Sequence, residues 1–299
     1  MTDVTGLGDP RGVADMIVVP GAEFVPGAEP GQLDWLQAEG QAFPREWFAD
    51  ETAAGAVTVP PFRIDAVTVT VARFREFVRA TGYVTDAEHN GYGLVYTDSY
   101  WSELDGACWS APAGPGVAVG NRDDHPVVHI SWPDAHAYAS YAGKRLPTET
   151  EWELAARGLT GRLWPWGDTW DRTRANTAEF HAGELTSLEQ WKRWWRGIHA
   201  RSGPVPLTTP VGSFPGGVSP AGCHDMAGNV YEWTATTASL YRGAQECDAT
   251  IRSVMGRYRA IRGGSWMNFR YQVRCTERMY GDPDGWSNFA LGFRCATDA

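Results

Sequence analysis

The chain has 299 residues, 43% of them hydrophobic and 21% charged, with a formal net charge of −10. That balance argues against a general polyanion binder, which needs a concentrated Lys/Arg surface, and no run of 18 apolar residues is present to form a membrane-spanning helix. Fifteen Trp beside 34 Gly indicate a loop-rich fold whose irregular segments are pinned by buried rings.

In chain order, residues 1–15 read as a tail with neither a basic n-region nor an apolar h-region, so no secretory signal is expected. Met16 to Val25 reads as strand, turn and strand, and Gln32 to Ala56 as a long polar loop. A further strand run covers Val57 to Val69, broken at Pro60-Pro61. Thr70 then caps a helix whose apolar positions Val71, Phe74, Phe77 and Val78 recur at helical spacing before Gly82 stops it. Residues 83–127 carry no periodicity.

A second helix is predicted over Pro133 to Ala142, with Pro133 in its first turn and Gly143 just past its end. A third opens with the capping box Thr148-Glu149-Thr150-Glu151 and closes at Gly158. Ser187-Leu188-Glu189-Gln190 starts a short helix with Leu188, Trp191 and Trp195 on one face. From Val205 onward turns alternate with short strands. There is no βαβ rhythm and no nucleotide-binding glycine motif, so the fold class is α+β, with residues 16–299 forming one domain.

Five cysteines, Cys108, Cys223, Cys247, Cys275 and Cys295, are odd in number, widely spaced and without a CxxC. They read as reduced thiols in a cytoplasm. The Arg residues between Arg252 and Arg278 read as internal salt-bridge partners and not as a nucleic-acid face. His125 and His129 read as structural, and His136 as a satisfied core imidazole.

The most informative block is Gly228-Asn229-Val230-Tyr231-Glu232-Trp233. An amide oxygen, a carboxylate and a glycine that turns carbonyls inward are the hard oxygen ligands calcium takes, although a polar turn capped by Trp233 has the same composition. Around it stand Lys144 to Glu153 (KRLPTETEWE), Trp164 to Asp168 (WPWGD), Arg262 to Trp266 (RGGSW) and Leu291 to Arg294 (LGFR). Upstream lie Gly82 to Glu88 (GYVTDAE) and His125 to Trp132 (HPVVHISW). In this order the blocks closely resemble the formylglycine-generating enzyme (sulfatase-modifying factor) family, and the likeness runs from Met16 to the end.

The resemblance implies a C-type-lectin-like fold, low in regular secondary structure and holding calcium. One calcium site would use Asn229 and Glu232 side chains with carbonyls near Gly228 and Val230; a second would begin at Asn176-Thr177, where the following loop is replaced by a Trp-rich insert over residues 180–204. Family members oxidise a cysteine of a target peptide to formylglycine with O2, using two cysteines that bind Cu(I) through soft thiolates. Here the first cysteine position holds Asn268 and the second falls in a short deletion, while Cys275 and Cys295 match structural family cysteines whose partners are Ala156 and Ala139. Glu88, Trp233 and Ser265 match residues surrounding the family active site, and Ala290 replaces its usual Asn.

One thiol cannot make a two-thiolate copper site, so the expectation is negative for formylglycine formation. Among replacements, Glu179, His181 and Glu184 have the composition of a facial iron-binding set, and equally that of a solvated loop. Trp191, Trp194 and Trp195 suit either a substrate lid or the face that docks the insert. The functional expectation is an oxygen-dependent oxidoreductase, with iron or copper as a possible redox metal, acting on a small-molecule or carrier-bound substrate. The alternatives are a non-catalytic ligand- or peptide-binding module and a true formylglycine-generating enzyme. A monomer is expected, with no nucleic-acid or membrane partner.

Overall fold

The computed structural model describes residues 16–29, 31–39, 45–52, 55–97, 100–118, 120–241 and 247–299. The tail expected over residues 1–15 lies outside them, as do parts of the 32–56 segment. The described chain runs β1 (Met16–Val19), β2 (Ala22–Phe24), α1 (Gln32–Ala38), β3 (Val57–Val59), β4 (Phe62–Asp65), α2 (Val71–Thr81), α3 (Asp86–Asn90), β5 (Tyr92–Tyr96) and β6 (Trp101–Asp105). It continues through α4 (Trp132–Tyr141), α5 (Glu149–Arg157), α6 (Ala178–Ala182), α7 (Leu188–Ser202), β7 (Tyr231–Thr237), α8 (Ala249–Val254), β8 (Arg259–Arg262), β9 (Met279–Gly281), β10 (Leu291–Gly292) and β11 (Ala296–Asp298). The α+β expectation holds.

Two sheets organise the molecule. The order β1-β4-β11 joins the first described strand to the last, and β10-β7-β8-β9 carries the Glu232 block at its centre. The parallel pairing of β10 with β7 sets Leu291 beside Tyr231 and Gly292 beside Glu232, so two sequence blocks far apart in the chain become one site wall. Strands β1 and β2 do not form the hairpin expected of them: β1 pairs with β4 and β2 with β3, both antiparallel.

The capping predictions hold. Thr70, Ser131 and Thr148 each accept a backbone N–H in the first turn of α2, α4 and α5, and Thr148 and Glu151 close a reciprocal box. Two readings are corrected. The segment from Gln32 is not simply a loop: α1 buries Leu33 and Leu36 in the same apolar cluster as Trp191 and Trp195. His136 is an exposed ring stacked on Trp132 with centroids 5.2 Å apart, because its position on α4 faces away from the buried Ala135, Tyr138 and Ala139. No helix of the described residues is long and apolar enough to cross a membrane.

Candidate functional site

The Arg262-Gly263-Gly264-Ser265 turn follows β8 directly, and both glycines have positive φ, 92° and 67°, a region costly for other residues. The turn is closed by Asn268. Its Oδ1 accepts from the Ser265 backbone N–H at 2.9 Å and from the Ser265 hydroxyl at 2.6 Å. The Tyr231 phenol lies near both Asn268 and the buried Glu277. Burial pushes the Tyr231 phenol and the Glu277 carboxyl well above their ordinary ranges, and Glu277 Oε2 has no hydrogen-bond partner. Ser265, Asn268, Tyr231 and Glu277 thus gather as a polar cluster behind the turn, where burial holds the Glu277 carboxyl above its ordinary range.

Helix α7 roofs this turn. Trp191 Nε1 donates to the Met267 carbonyl at 2.7 Å, and Trp195 Nε1 donates to the Thr97 carbonyl at 2.6 Å. The Trp195 ring stacks on Trp266, centroids 5.5 Å apart, and Trp191 and Trp195 stack on each other at 5.5 Å. Ser265 is fully buried and Asn268 is 8% exposed. Trp191 and Trp195 therefore dock the insert, as one of the two readings has it, while Trp194 is half-buried and stacks on His181.

No cysteine stands in the Ser265–Asn268 turn. All five cysteines are free and buried. Burial pushes the Cys275 thiol up to about 12 and Cys295 well up, so both are neutral hydrophobes and not thiolate ligands.

The other predicted residues divide. Trp233 is fully buried, donating from Nε1 to the Ile130 carbonyl at 2.8 Å, and a Cβ on Gly281 would come within 2.3 Å of its ring. Glu88 is exposed on α3 and caps that helix: its Oε2 accepts from the Thr85 backbone and hydroxyl at 2.9 and 2.7 Å.

Glu179, His181 and Glu184 do not converge. Glu179 is ion-paired to Arg270 at 2.5 Å, Glu184 reaches the same guanidinium at 3.2 Å, and His181 Nε2 bonds Asn176 Oδ1 at 2.7 Å. Arg270 occupies the space a metal would need, and burial lowers the His181 pKa to about 4, which keeps its ring neutral. Among the described residues no three His, Cys, Asp or Glu side chains gather as a metal set.

The residues expected to hold calcium lie side by side: the Asn176 carbonyl accepts the Asn229 N–H at 2.8 Å, and its side-chain amide donates to Asn229 Oδ1 at 3.1 Å. Gly228 allows this approach, since a Cβ there would lie 2.2 Å from the Asn176 carbonyl oxygen. Asn229 Oδ1 also accepts the Thr209 N–H at 3.0 Å, so this side chain staples loops.

Glu232 takes Arg294 in a two-pronged pair, Nε to Oε2 and Nη2 to Oε1 both at 2.7 Å, and accepts Trp152 Nε1 at 2.9 Å. Two oxygens nonetheless suit a hard cation: the Thr177 hydroxyl is buried without a partner, and Asp225 is a second buried carboxylate acting on the same Arg294. The fit to calcium is partial, through Asp225, Thr177 and the carbonyls near Gly228 and Val230, with Glu232 already engaged.

An open cleft lies elsewhere. It has a volume of about 420 Å³ and is lined by Tyr92, Tyr258, Tyr280, Asp282, Asp284 and Trp286 among others. Asn90, at the end of the helix that carries Glu88, also lines it.

Turn, sheet and buried ion pairs define a protein of the formylglycine-generating class with its reacting thiols replaced. The chain belongs to the sulfatase-modifying factor enzyme 1-like domain family, which matches residues 7–299. It is 33% identical to the formylglycine-generating enzyme of Bos taurus, the alignment covering 97% of this chain and 76% of that one. It is 36% identical to that of Streptomyces coelicolor, covering 97% and 91%. Inactive C-alpha-formylglycine-generating enzyme 2 of Bos taurus is 35% identical, covering 95% and 88%. Among solved structures, PvdO from Pseudomonas aeruginosa shares the fold, with TM-score 0.63 at 22% identity over 95% of this chain and 94% of that one.

Proposed function

We propose that this protein is a ligand-binding member of its family that does not make formylglycine through paired thiolates, and that the cleft beside Trp286 receives the ligand. The observation that carries this reading is the seating of Trp191 and Trp195 over a Ser265–Asn268 turn that contains no cysteine. A peptide cysteine has no thiolate pair to meet there, and α7 covers the approach. Relatives of near-equal identity include one whose name calls it inactive, so loss of the reaction is compatible with the fold. The cleft, in contrast, is open and has the size of a small-molecule site. Localisation in a reducing cytoplasm follows from five unpaired thiols and is part of the same proposal.

A second reading, oxygen-dependent oxidation of a small or carrier-bound substrate, is favoured by the buried Glu277 carboxyl, whose Oε2 has no hydrogen-bond partner and whose pKa burial raises. It ranks second because Glu179, His181 and Glu184 are spent on other partners. The test is to incubate the protein with Cu(I), O2 and a Cys-x-Pro-x-Arg peptide. No aldehyde and no O2 uptake are expected. Aldehyde would overturn the reading, and O2 uptake without aldehyde would promote the second.

A further inference from the structure

We propose that the cleft at Trp286 selects an organic ammonium cation, a claim that rests on the binding role just proposed and names its ligand class. The cavity of about 420 Å³ has aromatic walls, Tyr92, Tyr258, Tyr280 and Trp286, and two carboxylates, Asp282 and Asp284, with no Lys, Arg or His among its lining residues. Rings present a negative face to a cation, and several around one cavity desolvate it without demanding directed hydrogen bonds.

The walls are fixed. Trp286 is held edge-on by Trp233 and Trp101, at 6.0 and 6.3 Å between centroids. Asp282 Oδ1 accepts the Asp284 N–H at 3.0 Å. This bond orients the first carboxylate while Asp284 remains exposed. Gly285 at φ +80° turns the chain so that Trp286 follows directly.

The nearby guanidiniums do not neutralise the cleft. Arg278 lies 5.5 Å from the Tyr280 centroid, but it is buried and committed to Glu149 at 2.8 Å. Arg257 lies 5.9 Å from the Tyr258 centroid on an exposed side chain and is not among the residues lining the cleft. A compact alkylammonium fits the arrangement better than a divalent metal, because aromatic carbon supplies no hard ligands.

The test compares choline with 3,3-dimethyl-1-butanol, which has the same shape and no charge, by calorimetric titration of the full chain. Choline is expected to bind at least about tenfold more tightly, and Asp284→Asn to weaken it severalfold with an unchanged melting temperature. Arginine amide is expected to bind more weakly than choline. Equal binding of the two isosteres, or no effect of Asp284→Asn, would overturn the cation claim while leaving a binding cleft, provided Trp286→Ala abolishes both. Failure of choline to bind at any accessible concentration also overturns it, whereas the aldehyde and O2 assays decide the binding role independently.

Discussion

Asp50 is 1% exposed, and its Oδ2 accepts the Tyr280 hydroxyl at 2.5 Å while Oδ1 has no partner. Burial outweighs that bond and the nearby Arg278, raising its pKa to about 6 from 3.8. The folded state therefore holds a proton that the unfolded chain releases, so stability contributed by this group is full at low pH and is lost as pH rises through about 6. Asp50→Asn keeps an acceptor for Tyr280 and removes the charge. Its stability relative to the parent is expected to improve from about pH 4 to pH 7 by up to about 3 kcal/mol, measured by urea unfolding at both pH values. A constant difference would show that Asp50 ionises normally. The same contest runs the other way at Glu149, where two guanidiniums overcome burial and lower the pKa, so this carboxylate stays charged.

At the scale of elements, α7 decides what the altered centre can meet. Its amphipathic pattern is strong, but the face carrying Trp191 and Trp195 has value only because Trp266, Phe269 and Phe289 lie beneath it. Trp195→Ala removes a ring buried to 2% exposure together with its bond to Thr97. The expected cost is about 3–5 kcal/mol, read from denaturant midpoints. Proteolytic cleavage within residues 188–202 is expected before the rest of the chain unfolds, because α7 lies in an insert outside the two central sheets. Cleavage no faster than in the parent would mean that the helix is held elsewhere.

Across the whole molecule, charge is organised inward. Arg262, Arg274, Arg278 and Arg294 are all buried and all paired, to Glu149 and Glu153, Glu51, Glu149, and Glu232 respectively. Within the stretch from Arg252 to Arg278, Arg262, Arg270, Arg274 and Arg278 are salt-bridge partners as expected, while Arg252 and Arg257 are exposed. Such pairs tie segments more than 60 residues apart, and losing one member leaves an uncompensated charge. Calcium belongs at this scale, since the residues that fit it lie where the 176–177 and 225–232 segments meet. Chelator-treated protein is expected to melt about 5 °C or more below protein resupplied with calcium in large excess over its dissociation constant. Identical melting curves would remove calcium from the account.

The sequence by itself determined the family, the α+β class, the capped helices α2, α4 and α5, and the loss of the thiolate pair. These are local matters: a cap needs only its first turn, and a missing cysteine is missing in any fold. It also flagged Ser265 and Asn268, because the glycine turn fixes where they stand. What Glu88, Glu179, His181 and Glu232 do was decided by tertiary structure. Each has a side chain able to bind a metal or a proton, and its partner is remote in sequence or is its own helix N-terminus: Arg270 lies 91 residues from Glu179 and Arg294 lies 62 from Glu232. Glu277 and Tyr231 gave no signal as a pair for the same reason. The strands β5 and β6 were missed because β5 buries only Gly93 and Val95 and β6 alternates exposed with half-buried residues, so neither shows a clear apolar face in the sequence. A buried polar group takes its role from whichever partner satisfies it, and only the folded chain brings that partner within reach.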